Sequence, residues 1–331
     1  MNAVEMLNIT KEYPGVIANN NVTLTVRKGE IHGLIGENGA GKSTIMNLLY
    51  GMGRPDSGVI KVNEKEVSLS SPKDAIKLGI GMVHQHFMLA PTLSVIENIV
   101  LGKAPRKFLM VDMNKARKEV GKILERYSFE LDLDAKVYQL SIGQMQRVEI
   151  VKALYRGADI LILDEPTAVL TPQEVAELIH IMKQLKTQGC TIIIITHKLK
   201  EVMAATDRIT VMRKGCVTGS LETEHTDEKE LANLMVGREV NLKIEKTPVR
   251  SKEKVLQVDK INVMDKRGRL AVKDVTFHVA RGEILGVCGV EGNGQTELID
   301  AATGLSPVVG GTIKVFDKEI QNLSVRKRRE C

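Results

Sequence analysis

The sequence predicts an α/β fold around a mainly parallel sheet, with one full copy followed by the start of a second. Three observations predict it. Ile31–Ile35, Ile160–Leu163 and Thr191–Thr196 are continuous apolar runs, the pattern of strands buried on both faces. Helix signals alternate with them: Thr171-Pro172-Gln173-Glu174 is a capping box with proline at the first helical position, and Gly189 closes that helix. An internal repeat runs at one constant offset. Gly29-Glu30-Ile31 recurs as Gly282-Glu283-Ile284, Gly36, Gly39 and Gly41 as Gly289, Gly292 and Gly294, and Gly58, Ile60, Lys61 and Val62 as Gly311, Ile313, Lys314 and Val315. An ungapped match this long implies two copies of one fold rather than a short-period solenoid.

Taken in order, the first copy occupies residues 1–240, opening with an antiparallel β part. The apolar strand at Ile31–Ile35 runs into a glycine loop and a helix from about Lys42. Gly81–Val83 is a short strand, and residues 92–158 form a mostly helical insertion before the strand at Ile160. A charged, Pro-containing stretch without periodicity reads as a linker over 241–253, and the second copy takes 254–331.

Composition narrows the class. Apolar residues make up 43% and charged residues 27%, ordinary for a globular protein. Aromatics are only 3% with no Trp, so the core is built from aliphatic residues and Met. A net charge of +6 fits an anionic ligand, an anionic membrane or nucleic acid, and decides among none of them. Cys190, Cys216, Cys288 and Cys331 form no CxxC pair, which argues against zinc or a disulfide framework and for a reducing compartment. The N-terminus lacks the apolar stretch of a signal peptide. No run approaches the ~18 apolar residues of a spanning helix, so a membrane role requires a partner.

The chemistry starts at Gly36-Glu37-Asn38-Gly39-Ala40-Gly41-Lys42-Ser43, which fits GxxxxGK[ST] at every fixed position. Its glycines let the backbone curl so that several N–H groups point at one phosphate, and the following helix, with Thr44 in its first turn, presents its N-terminus to the same anion. Lys42 is expected at the β- and γ-phosphates and the Ser43 hydroxyl on Mg²⁺. The second copy keeps the glycine frame but has Gln295 at the lysine position, so weak or altered nucleotide use is expected there.

The strand Ile160–Leu163 ends in Asp164 and Glu165, which alternation sends to different sides. Asp164 suits Mg²⁺, held through water, and Glu165 is then free to polarise an attacking water as general base. Gln85, after the short strand, is expected to touch Mg²⁺ or water. His197 ends the run Thr191–Thr196, at the carboxyl edge of a parallel strand where such folds bind ligands. His84 and His86 flank Gln85 without a carboxylate or Cys to complete a metal site.

Leu140-Ser141-Ile142-Gly143-Gln144 opens a helix upstream of Asp164 and resembles the LSGGQ signature of ATP-binding-cassette ATPases, departing from it at Ile142, where Gly is usual. The other parts follow in that family's order. By resemblance, Tyr13 is the aromatic that stacks on adenine, Gln85 the Q-loop, Ala168–Thr171 the D-loop and His197 the switch histidine. Ser141, Gly143 and Gln144 are then expected to cap the γ-phosphate of a nucleotide held by an opposite cassette.

The tandem copy, the degenerate second loop, and Met82–Met88 and Gln146–Ile150 are similar to the double-cassette ATPases of simple-sugar and nucleoside importers. That resemblance implies an ATP- and Mg²⁺-dependent ATPase, peripheral on the cytoplasmic face of the membrane. Its implied partners are two transmembrane permease subunits, an extracytoplasmic solute-binding protein and a second cassette. Residues near Phe87–Pro91 are expected in the groove that receives the permease. In the family the second cassette has its own signature, carboxylates and switch histidine. These do not follow Gly294, so a fragment or shortened product is expected. The competing class, a soluble tandem-cassette ATPase acting on ribosomes or nucleic acid, normally keeps both loops competent. Gln295 and the short linker argue against it, as does the bland reading of the basic run Arg326–Arg329 as an exposed helix.

Overall fold

Alternating burial along two long strands builds the first layer. In a computed structural model describing residues 1–108, 110–239, 253–265, 268–289 and 292–330, β1 (Asn2–Tyr13) pairs antiparallel with β2 (Val16–Arg27). The continuous apolar run becomes β3 (Ile31–Gly36), buried at every residue, and the glycine loop leads into α1 (Lys42–Leu49). The hairpin β4 (Ser57–Val62) and β5 (Lys65–Val67) returns to β1, giving the order β2-β1-β4-β5. The helix α2 (Pro72–Lys77) precedes the short strand β6 (Ile80–Val83).

The inserted helical part follows: α3 (Val95–Val100), a two-stranded ribbon of β7 (Arg106–Lys107) and β8 (Met110–Val111), α4 (Met113–Tyr127) and α5 (Ile142–Tyr155). The chain then alternates β9 (Ile160–Asp164), α6 (Pro172–Thr187), β10 (Thr191–Thr196), α7 (Leu199–Ala205) and β11 (Arg208–Arg213), and closes with β12 (Cys216–Glu222) and α8 (Glu228–Val236). The main sheet has the order β12-β11-β3-β10-β9-β6, parallel throughout except for the β11–β12 pair. Burial on both faces explains the uninterrupted apolar strands. Ile193 and Ile195 pack with Met6, Ile45 and Met46 on one side, and Ile192 and Ile194 with Val148, Ile150 and Leu178 on the other.

Contacts divide the chain into two units, Met1–Leu242 and Lys243–Cys331. The linker expected over 241–253 lies, except for its last residue, outside the described residues. The second unit rebuilds the antiparallel sheet from β13 (Lys254–Met264) and β14 (Leu270–Ala280), then α9 (Gln295–Thr303), β15 (Gly310–Val315), β16 (Lys318–Glu319) and α10 (Val325–Arg329). Its order, β14-β13-β15-β16, repeats that of the first unit. The backbone repeats too: Asn63 and Glu64 turn at φ 49° and 66°, and Phe316 and Asp317 at 46° and 62°.

The repeat fails at one element. Residues 284–289, the counterpart of β3, form no strand, and Ile284 is 97% exposed. The reason is non-local. In the first unit β3 is held between β10 and β11. Among the described residues of the second unit no strand stands in their place.

Candidate functional site

The loop after β3 is shaped by close backbone approaches. A side chain at Gly36 would collide with the Met212 carbonyl, and one at Gly41, with φ 96°, with the Ala18 carbonyl. Gly41 also leaves α1 without a side-chain N-cap, so its first N–H groups face the loop. Asn19 fixes the loop from below, donating from Nδ2 to the Gly41 carbonyl at 3.1 Å.

Lys42 is buried, and its Nζ donates to the carbonyls of Gly36 at 2.8 Å and Glu37 at 3.0 Å. Burial pushes its pKa below the ordinary lysine range, against the opposing pull of Glu165 and Asp164. Asp164 moves the other way. Burial and then the neighbouring Glu165 raise its carboxyl above the usual range, opposed by His84 and Lys42. The two carboxylates and the ammonium therefore form one interacting group at the tips of β3 and β9.

A cavity of about 720 Å³ opens over this group. It is lined by Tyr13, by Asn38 to Thr44, and by Gln85, Glu165, Ala168 and His197. Glu165 turns out of β9 in the left-handed region, at φ 46°. Its Oε1 lies 3.0 Å from Nδ1 of His197, at the end of the neighbouring β10. So residues from five separate stretches of sequence meet in one hollow. Gly36, Glu37 and Asp164 are not among the residues that line it.

Sequence reasoning missed part of the lining. Val16 and Ile17, both more than half exposed, complete the lining with Ala18, Lys214 and Gly215. No motif marks them. Gly215 reaches the site through tertiary pairing, donating to the Ala40 carbonyl at 3.1 Å and accepting from Asn20 at 2.8 Å. At the rim Lys11 sits 5.5 Å from the centre of the Tyr13 ring.

The residues of the signature resemblance are not among those lining this cavity. Ser141 caps α5, accepting from Gln144 N at 3.2 Å while Gln144 Oε1 accepts from Ser141 N at 2.9 Å. That use of the oxygen leaves the Ser141 hydroxyl hydrogen to donate. Gly143 N donates to Glu174 Oε1 at 3.2 Å, and Glu174 caps α6 through Thr171. The starts of α5 and α6 are thereby tied together.

Two buried oxygens at the carboxylate pair, Asp164 Oδ1 and Glu165 Oε2, have no hydrogen-bond partner. The Ser43 hydroxyl and the Gln85 amide oxygen line the same cavity as Glu165, and together these are hard oxygen donors, the chemistry of a small divalent cation. His84 is not part of it and packs edge-on against Tyr50 with ring centres 5.9 Å apart.

Residues 19–168 match the family model described as ABC transporter. This unit is an ABC-type cassette. The cassette superposes on a crystal structure of a nucleotide-free ATP-binding cassette from an ABC transporter with a TM-score of 0.63 and 28% identity, covering 71% of this chain and 96% of that one. Over 99% of its length the chain is 54% identical to the guanosine import ATP-binding protein NupO of Bacillus subtilis. It is 49% identical to the nucleoside import ATP-binding protein NupA of Lactococcus lactis, again over 99% of its length. The chain spans 64% and 65% of the length of these two relatives. No helix among the described residues is long and apolar enough to cross a membrane. Cys190, Cys216 and Cys288 are free thiols, and Cys331 lies outside the described residues.

Proposed function

We propose that the cassette binds and hydrolyses ATP and so powers import of a nucleoside or simple sugar through separate permease subunits. The observation that carries this reading is the single cavity in which the phosphate loop, Gln85, Glu165 and His197 meet. In this reading Gly36 to Thr44 wrap the phosphates, Lys42 exchanges its loop carbonyls for phosphate oxygens, and Tyr13 carries the adenine. The Mg²⁺ accompanying the nucleotide would be held by Ser43, Gln85 and Asp164 and would neutralise phosphate charge. The unpartnered Asp164 oxygen supports that fit.

Glu165 takes the proton of the attacking water, and His197, hydrogen-bonded to Glu165, holds that carboxylate in place. Ser141, Gly143 and Gln144 act in trans, closing over the phosphates of a second cassette. The second cassette is the other half of a longer chain or another copy. ATP then favours the paired state and hydrolysis releases it. Two permeases and an extracytoplasmic solute-binding protein complete the assembly, with this subunit peripheral on the cytoplasmic face. The named relatives are import subunits, which favours this reading over a soluble ATPase acting on ribosomes or nucleic acid.

The test is phosphate release by the wild type and by Glu165→Gln. Loss of the base should slow turnover roughly 100- to 10,000-fold while ATP still binds. Turnover equal to wild type would remove Glu165 from this role.

A further inference from the structure

Beside the phosphate cavity lies a second hollow of about 340 Å³ whose wall includes Met88, Glu149 and Lys152. Glu149 and Lys152 are buried, at 7% and 8% exposure, one turn apart on α5 and 3.4 Å from each other. Both spend their charge on one peptide residue. Glu149 Oε1 accepts from Met88 N at 2.7 Å, and Lys152 Nζ donates to Met88 O at 2.9 Å. The Met88 side chain is not what is held, since Met88 is 65% exposed. Two residues on, Asn98 of α3 grips Ala90 in the same manner, accepting from its N–H at 2.7 Å and donating to its carbonyl at 3.1 Å.

A buried ion pair is a poor way to gain stability, because desolvation offsets its attraction and an apolar pair packs as well. It is a good way to hold a backbone in one place, because charge-assisted hydrogen bonds are short and directional. Gln85 stands three residues before Met88 and lines the phosphate cavity, while Ser141 caps the other end of α5. We propose that Glu149 and Lys152 are positioning residues: they clamp the Met88 backbone so that α5, and Ser141 with it, follows any movement of Gln85. The inference rests on the proposed nucleotide site and adds the route by which α5 senses it.

Hydrogen exchange of the full chain, with and without Mg²⁺ and a non-hydrolysable ATP analogue, tests it beside calorimetric binding. Wild type should bind and show slowed exchange in residues 141–147. Glu149→Gln/Lys152→Met should bind within about threefold of wild type, as expected for a change outside the binding site, yet lose that slowing. Lys152→Arg, which keeps the donor, should retain it. The clamp is overturned if the double variant still shows the slowing, or if wild type binds without it. It is also overturned if Lys152→Arg behaves like the double variant. A wild type that does not bind nucleotide would instead sink the site assignment on which the clamp rests.

Discussion

At the residue scale, burial and a like-charged neighbour set the behaviour of Asp164. Asp164 is placed where burial and Glu165 hold its carboxyl above the ordinary range. Its ionised form therefore opposes folding: the favourable contribution is full below the unfolded carboxylate pKa and is lost as pH rises through the raised folded value. Asp164→Asn should accordingly raise the nucleotide-free unfolding temperature at neutral pH, narrow its difference from wild type as pH falls, and weaken Mg²⁺-dependent nucleotide binding. Scanning calorimetry across pH measures this, and an unchanged or lowered unfolding temperature at neutral pH would contradict the electrostatic account. The sequence showed the pair Asp164-Glu165 as an apolar strand ending in two acids, a weak signal alone. The hydrogen bond from His197 to Glu165, across adjacent parallel strands, is what gives it weight.

At the element scale, local rules were legible and tertiary ones were not. Continuous apolar runs gave β3, β9 and β10, and the capping box at Thr171 and Glu174 gave the start of α6. The same Glu174 also receives Gly143 N, a contact no local pattern announces. A side chain at Gly143 would lie 2.6 Å from Glu174 Oε1. Gly143→Ala should therefore push the flexible end of Glu174 aside, a small cost that the better helix propensity of Ala, up to about 1 kcal/mol, offsets, leaving stability near that of wild type. Urea unfolding would measure it, and a loss well beyond about 1 kcal/mol would show that Glu174 cannot move aside. The segment 284–289 makes the converse point. Its residues read as a strand by analogy with β3, yet a central strand exists only when its neighbours do, and Ile284 stands exposed.

At the scale of the whole molecule, every residue lining the phosphate cavity belongs to the first unit. The second unit repeats the antiparallel sheet and the glycine frame but carries Gln295, uncharged, where the first has Lys42. The account therefore makes one cassette the nucleotide site of this chain, with Lys42 as its buried cation. Titrating ATP into the full chain by calorimetry, with Mg²⁺ and with chelator, and then repeating it on Lys42→Ala, tests that claim most directly. The account predicts one magnesium-dependent site in wild type and a loss of about 2–4 kcal/mol of binding free energy in the variant, the cost of removing a buried charged partner. Magnesium-dependent affinity that survives Lys42→Ala, or is absent from folded wild type, would contradict it.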